Sequence, residues 1–213
     1  MRTCIVLILA VAMALAFQAM TLAAEESVMV SANVPTLSGL MEISISSIDP
    51  GADPDSPSDD TWTPQTDTSS IDFGTLTRDK DNKIFVGSNF FAVDVAVVDN
   101  TGRGWTLSHT TTPIAYQSEK LDDHINVAFS KVTPPLIKGG SDTDTPKDAY
   151  VYSESNNVQY NKDDLDGATG GWLRIYYGIA TGGDGDAPNA TPIPQYQLAG
   201  QYTGGVTITL TPQ

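Results

Sequence analysis

Cysteine, histidine, basic charge and helical periodicity are all scarce in this chain of 213 residues. The one cysteine, Cys4, lies inside an apolar N-terminal run. Everything after that run is free of thiols, which excludes disulfides and thiolate metal sites there. His109 and His124 are the only histidines. A nucleophilic triad needs a histidine beside both a nucleophile and an orienting carboxylate. Ser108 adjoins His109 in sequence, but on an extended strand the two point to opposite faces. Both histidines are expected in loops or at strand edges. There is no Gly-x-Ser-x-Gly elbow, no His-Glu-x-x-His pair and no phosphate-binding glycine loop. Glutamate is also rare: Glu25, Glu26, Glu42, Glu119 and Glu154 are the full set. That leaves little material for the paired carboxylates of a glycosidase. The expectation is a protein that is not an enzyme.

The shortage of positive charge excludes further classes. Lysine and arginine number 11 against 26 acids, a formal net charge of −15. Such a surface repels nucleic acid and anionic lipid, and no basic groove interrupts it. It favours solubility and divalent cations.

The N-terminus carries its own signature. Arg2 is followed by an uninterrupted apolar stretch from Cys4 to Phe17, then by small residues at Ala23 and Ala24 ahead of Glu25-Glu26. This is the layout of a secretory signal peptide, expected at 1–24. The apolar stretch is too short to span a bilayer comfortably. No later run is long enough for a transmembrane helix, so none is expected once the leader is removed. Residues 25–213 are then expected to form a single β-sandwich domain, large enough to bury an ordinary core.

What the chain has in abundance is alternation. Phe91, Val93, Val95 and Val97 alternate with Ala92, Asp94 and Ala96, the period of two of a half-buried strand. Asp99, Asn100, Thr101, Gly102 and Gly104 supply turn chemistry, and Trp105 and Leu107 resume the apolar face. A β-hairpin across 90–114 is the expectation. Other alternating runs lie at 27–35 (Val28, Val30, Ala32, Val34), at 40–48 (Met41, Ile43, Ile45) and at 125–129. Further runs lie at 172–180 (Leu173, Ile175, Tyr177, Ile179) and at 206–211, where Val206, Ile208 and Leu210 alternate with threonine. Short strands are read at 71–76, 84–86 and 149–152. Polar, Gly- and Pro-rich stretches at 49–70, 133–147, 161–171 and 182–194 read as loops. With about nine or ten strands and no amphipathic helix, the fold class is all-β: an antiparallel two-sheet β-sandwich with Greek-key connections and long acidic loops.

The loops hold the remaining candidates. Asp79 and Asp81, Asp142 and Asp144, Asp163, Asp164 and Asp166, and Asp184 and Asp186 cluster like the hard oxygen ligands of calcium. None completes the helix-loop-helix pattern, and solvated turn acids explain the same clusters. Trp62 is the one large apolar group of the 49–70 stretch, either pinned against the sandwich or presented to a ligand. The run at 27–35 either pairs within its own sheet or adds to the edge of another copy.

The residues Asp99-Asn100-Thr101-Gly102, then Gly104-Trp105-Thr106-Leu107, resemble the first Trp-x-Leu signature of the WxL surface domain. The ending Ala199-Gly200-Gln201-Tyr202-Thr203-Gly204, then Thr207-Ile208-Thr209-Leu210, is similar to that family's closing strand, with Ile208 where the second motif has tryptophan. Fimbrial and spore-coat-type sandwiches share such an ending. The resemblance implies a secreted bacterial β-domain held noncovalently on the cell wall, with Trp105 and Leu107 as the wall-binding motif. Trp105 read on its own is a core anchor between sheets. The expected role is a secreted structural or binding module at the cell surface, whose partners are an envelope polymer or other surface proteins. The alternatives are a fimbria-like subunit assembling through its N-terminal strand and a calcium-dependent carbohydrate-binding module.

Overall fold

A computed structural model describes residues 40–52, 61–98, 101–131, 148–165 and 170–213. They fold as β-strands joined by turns and two single-turn 3₁₀ segments. The strands in the first half are β1 (Leu40–Ile48), β2 (Trp62–Pro64), β3 (Thr77–Asp79), β4 (Ile84–Val86), β5 (Phe90–Val98) and β6 (Trp105–Tyr116). Then come β7 (Glu119–Lys120), β8 (Ile125–Lys131), β9 (Asp148–Val151), β10 (Val158–Asn161), β11 (Gly170–Ile179), β12 (Ile193–Pro194) and β13 (Thr203–Pro212). Every pairing among them is antiparallel.

The larger layer has the order β2-β1-β5-β11-β8-β9. Facing it is a second sheet, β10-β6-β13, with the short β7 also on β6. A small third sheet runs β12-β4-β3. The alternation of the sequence becomes the seam between the two main layers. Val93, Val95 and Val97 of β5, Ile175 and Tyr177 of β11, and Val127 and Phe129 of β8 meet Trp105 and Leu107 of β6 and Tyr160 of β10 in one core. Each buried aliphatic or aromatic side chain of this kind contributes about 1.5–3 kcal/mol. The all-β antiparallel expectation therefore holds, as do the strands at 40–48, 84–86, 172–180 and 206–211.

The hairpin at 90–114 does not hold. β5 pairs along its length with β1 on one side and β11 on the other, so no edge is left for β6. β6 instead pairs with β10 and β13 in the opposite layer. The connection after Val98 is thus an arch from one sheet to the other. Gly102 takes φ +73° within it, and Thr101 Oγ1 accepts the Arg103 N–H at 3.1 Å. Alternation fixes which face of a strand is buried; it is silent on which strand lies alongside. β5 is also buried on both faces rather than one, because Ala92 lies beneath Trp62 and Tyr176 in a second cluster on the outer side of the sheet.

Other segments differ from expectation too: the stretches 161–171 and 182–194, expected as loops, take in the start of β11 and all of β12. Residues 71–76 form no strand: Asp72 Oδ1 accepts the Gly74 N–H at 2.8 Å, and Gly74 turns the chain at φ +65°. Ile71, Phe73 and Leu76 still pack on the core, with Phe73 edge-on to Phe91 at 5.4 Å. The stretch 49–70, read as loop throughout, contains β2, which adds to β1 at Ser46–Ile48. The expected strand at 27–35 and loop at 133–147 lie outside the described residues.

Candidate functional site

The sequence candidates disperse through the fold. Trp105 and Leu107 sit side by side on the inner face of β6, each 2% exposed, so neither offers contact area to a polymer. Trp62 is also 2% exposed. Its ring packs with Ile48, Ala92 and Tyr176 and lies 4.6 Å from the Arg174 guanidinium. Arg174 forms a bidentate pair with Asp94, at 2.6 and 3.0 Å, across the β5–β11 ladder. Burial opposes the arginine's charge, but the hydrogen bond and charge of Asp94, joined by those of Tyr176, outweigh it and hold the guanidinium above its ordinary pKa.

Three of the loop carboxylates, those of Asp79, Asp164 and Asp186, are engaged by neighbouring groups. Asp79 accepts the Asp81 and Asn82 N–H groups and the Asn82 side-chain amide, which lowers its pKa. Asp164 Oδ2 accepts the Asn161 N–H, and the Asp163 N–H donates to Asn161 Oδ1. Asp186 accepts from Asn126, Thr181 and Gly182. Asp81 and Asp184 sit in the exposed turns beside these groups. Among the described residues no three histidine, cysteine, aspartate or glutamate side chains converge on a point that could hold a metal ion. Asp142, Asp144 and Asp166 lie outside the described residues.

What the fold does assemble is a cleft along one side of the sandwich. It has a volume of about 580 Å³ and is bounded by Ile43 and Ile45 of β1, Val206 and Ile208 of β13, and the turn carrying Ile71 and Phe73. Its floor reaches two tyrosines, Tyr152 and Tyr177. The Tyr152 hydroxyl donates its proton to the Gly205 carbonyl of β13 at 2.6 Å and lies 3.0 Å from the Thr112 carbonyl of β6, so the chain after β9 sits against both strands. Burial pushes its pKa up to about 12, with the charge of Asp122 adding to the rise.

Behind Tyr177 lies His109, which is 2% exposed and therefore in neither a loop nor a strand edge. It belongs to β6, with β10 on one side and β13 on the other. Its Nδ1 lies 3.0 Å from the Ser155 carbonyl, which can only accept, so Nδ1 carries the proton. Nε2 then accepts from the Tyr177 hydroxyl at 2.9 Å. This polar link spans the apolar seam from β6 to β11. Burial pushes the imidazole below its ordinary pKa and the Tyr177 hydroxyl far above the usual phenol range. Chemically, both ring nitrogens are occupied in holding the layers together. A signal for this was present: Trp105, Leu107 and His109 share one strand parity, so the inner face of the first two is also that of the third. Tyr152 carried no comparable signal, since its role depends on a contact between strands distant in sequence.

Against family models, curated proteins and solved structures, the chain finds no match in any of the three comparisons. Among the described residues, no helix is long and apolar enough to cross a membrane.

Proposed function

We propose that this chain is a secreted, non-enzymatic β-sandwich that serves at the cell surface as a structural or binding module, similar in kind to WxL domains. The observation that carries the reading is the cleft between β1 and β13, where the apolar side chains of both strands meet a polar rim at Thr68, Ser69, Ser70 and Asp72. The two tyrosines at its floor, Tyr152 and Tyr177, are occupied in bracing the sandwich. The leader-like N-terminus, the thiol-free remainder and the acidic charge fit an exported protein that must stay soluble without disulfides. The test is fractionation of the producing cells, followed by incubation of purified protein with isolated envelope polymer. Processed protein in the medium or on the envelope is expected. Unprocessed protein confined to the cytoplasm would remove the premise.

A second reading has one observation in its favour. The part of β1 before Ile45 has no partner strand on its outer side among the described residues. A fimbria-like subunit could accept a neighbour's N-terminal strand there. Deleting residues 25–34 would then abolish high-mass assemblies and leave a folded monomer.

A further inference from the structure

The long edge of the smaller layer is unguarded. β13 has β6 on one side and no described strand on the other. In an antiparallel ladder the N–H and C=O of one residue point to the same side, and alternate residues share that side. The carbonyls of Gly205, Thr207 and Thr209 turn toward β6, where the hydroxyls of Thr112, Thr110 and Ser108 donate to them at 3.4, 3.5 and 3.4 Å. The Gln213 N–H keeps the same parity and donates to the Gly104 carbonyl at 2.8 Å. Val206, Ile208 and Leu210 therefore direct both backbone groups outward. Their side chains pack on the core but stay half-buried, whereas Trp105 and Leu107 of β6 are 2% exposed. Gly204, at the register shift, and Pro212, which has no N–H, bound the open stretch. Folded proteins blunt such edges with charge, brevity or a covering segment. The other sheet-edge strands, β2, β3, β9, β10 and β12, have two to four residues each. β13 runs for ten residues with no charged side chain.

We infer that this edge pairs with the same edge of a second copy, giving one continuous antiparallel sheet across a two-fold axis. The inference does not depend on where in the cell the chain works. Two features select this occupant. The first is charge. Asp186 is the last charged side chain of the sequence, and β6 has no lysine, arginine, aspartate or glutamate either. On a chain of net charge −15, this strip is a place where two copies meet without opposing carboxylates. A basic partner finds no acidic group on it to pair with. The second feature is self-complementarity. A two-fold axis through Ile208 sets Ile208 opposite its own copy, Val206 opposite the partner's Leu210, and Thr207 opposite the partner's Thr209. Apolar side chains then meet apolar ones on the inner face and threonines meet threonines on the outer face, pairings that stabilise a sheet. Val206, Ile208 and Leu210 each exchange both backbone bonds with the residue opposite. So short a seam falls at the small end of specific interfaces, so the dimer exchanges with monomer rather than being obligate.

The experiment is sedimentation of the full chain across the micromolar range, with Cys4→Ser so that introduced cysteines are the only thiols. A monomer–dimer equilibrium with no larger species is expected. Thr207→Lys with Thr209→Lys sets like charges opposite one another across the axis, and Thr207→Glu with Thr209→Glu does the same with the other sign. Each double variant is expected to weaken dimerisation about tenfold. Neither should move the melting temperature of the dilute monomer, since both positions are exposed. Mixing the two variants is expected to restore the dimer as a one-to-one pair of unlike chains. Register is read by mixing a Thr207→Cys chain with a Thr209→Cys chain under mild oxidation. These positions face each other without backbone bonds between them, where the Cα atoms of neighbouring strands approach to about 4.5 Å. The mixed disulfide dimer should therefore form faster than either homodimer. Monomer alone throughout the range would overturn the inference, and so would open-ended oligomers, which mean head-to-tail contacts between copies. Charge variants that dimerise like the parent would overturn the assignment of the contact to β13, and homodimers formed as fast as the mixed dimer would overturn its register. A dimer of this kind in a protein retained in the cytoplasm would sink the proposed function and leave this inference standing.

Discussion

Two polar groups lie deep inside this largely apolar interior, the His109 imidazole and the Arg174 guanidinium. His109 is buried as the neutral imidazole, with its pKa held below the ordinary value. The unfolded chain therefore binds more protons than the folded chain once pH drops below about 6.5, the unperturbed histidine value. Stability contributed by this site is present above that pH and declines as pH falls toward the lower folded-state pKa. Urea titrations at pH 7, 6 and 5 should give falling midpoints, and His109→Phe should flatten the trend over that window. The Asp94–Arg174 pair makes a different prediction. The arginine is 2% exposed, and its Nη1 finds no hydrogen-bond partner among the described residues. Removing only the carboxylate, as in Asp94→Ala, strands a buried charge and should cost roughly 3–5 kcal/mol. Replacing both members, as in Asp94→Leu with Arg174→Met, should recover most of that loss in the same denaturation assay. Trp105→Ala should cost about 3–5 kcal/mol through the cavity it opens. Trp105→Phe should cost far less, since the indole N–H has no partner among the described residues to lose.

At the scale of strands, the register of β13 against β6 slips between Thr203 and Gly205. Gly204 sits at this bulge, and a Cβ there would lie 2.8 Å from the Ile114 Cα and would collide with the Ile114 side chain. Because backbone cannot move aside, Gly204→Ala should lower stability by about 1–3 kcal/mol in chemical denaturation. Gly205→Ala meets only the Thr112 hydroxyl, at 3.1 Å, and should be milder. The bulge was not legible in the sequence, because it depends on a partner strand about ninety positions away. β1, β8, β11 and β13 were legible, each through its own alternation. The arch after β5 was misread as a hairpin for the same reason that the bulge was missed. Faces are written locally, whereas neighbours are decided by the competition among all strands for each edge. β10, with only Val158 and Tyr160 to alternate, was too short to register. The cleft was invisible for another reason: it is a space between β1 and β13, and no single segment encodes it.

For the molecule as a whole, a formal charge of −15 on 213 residues implies self-repulsion in the folded state. Raising salt from ~10 mM to ~150 mM shortens the screening length from about 30 to about 8 Å and should raise the melting temperature. A melting temperature that falls over that range would mean that specific ion pairs outweigh the net charge. β1, where the described fold begins, and β13, where the chain closes, lie in opposite layers on either side of the cleft. Any tension entering at Leu40 and leaving at Gln213 must therefore cross the β1–β5 and β6–β13 ladders and the oily seam between them. Resistance to tearing then rests on the apolar seam and on the imidazole–phenol brace across it as well as on the strand ladders.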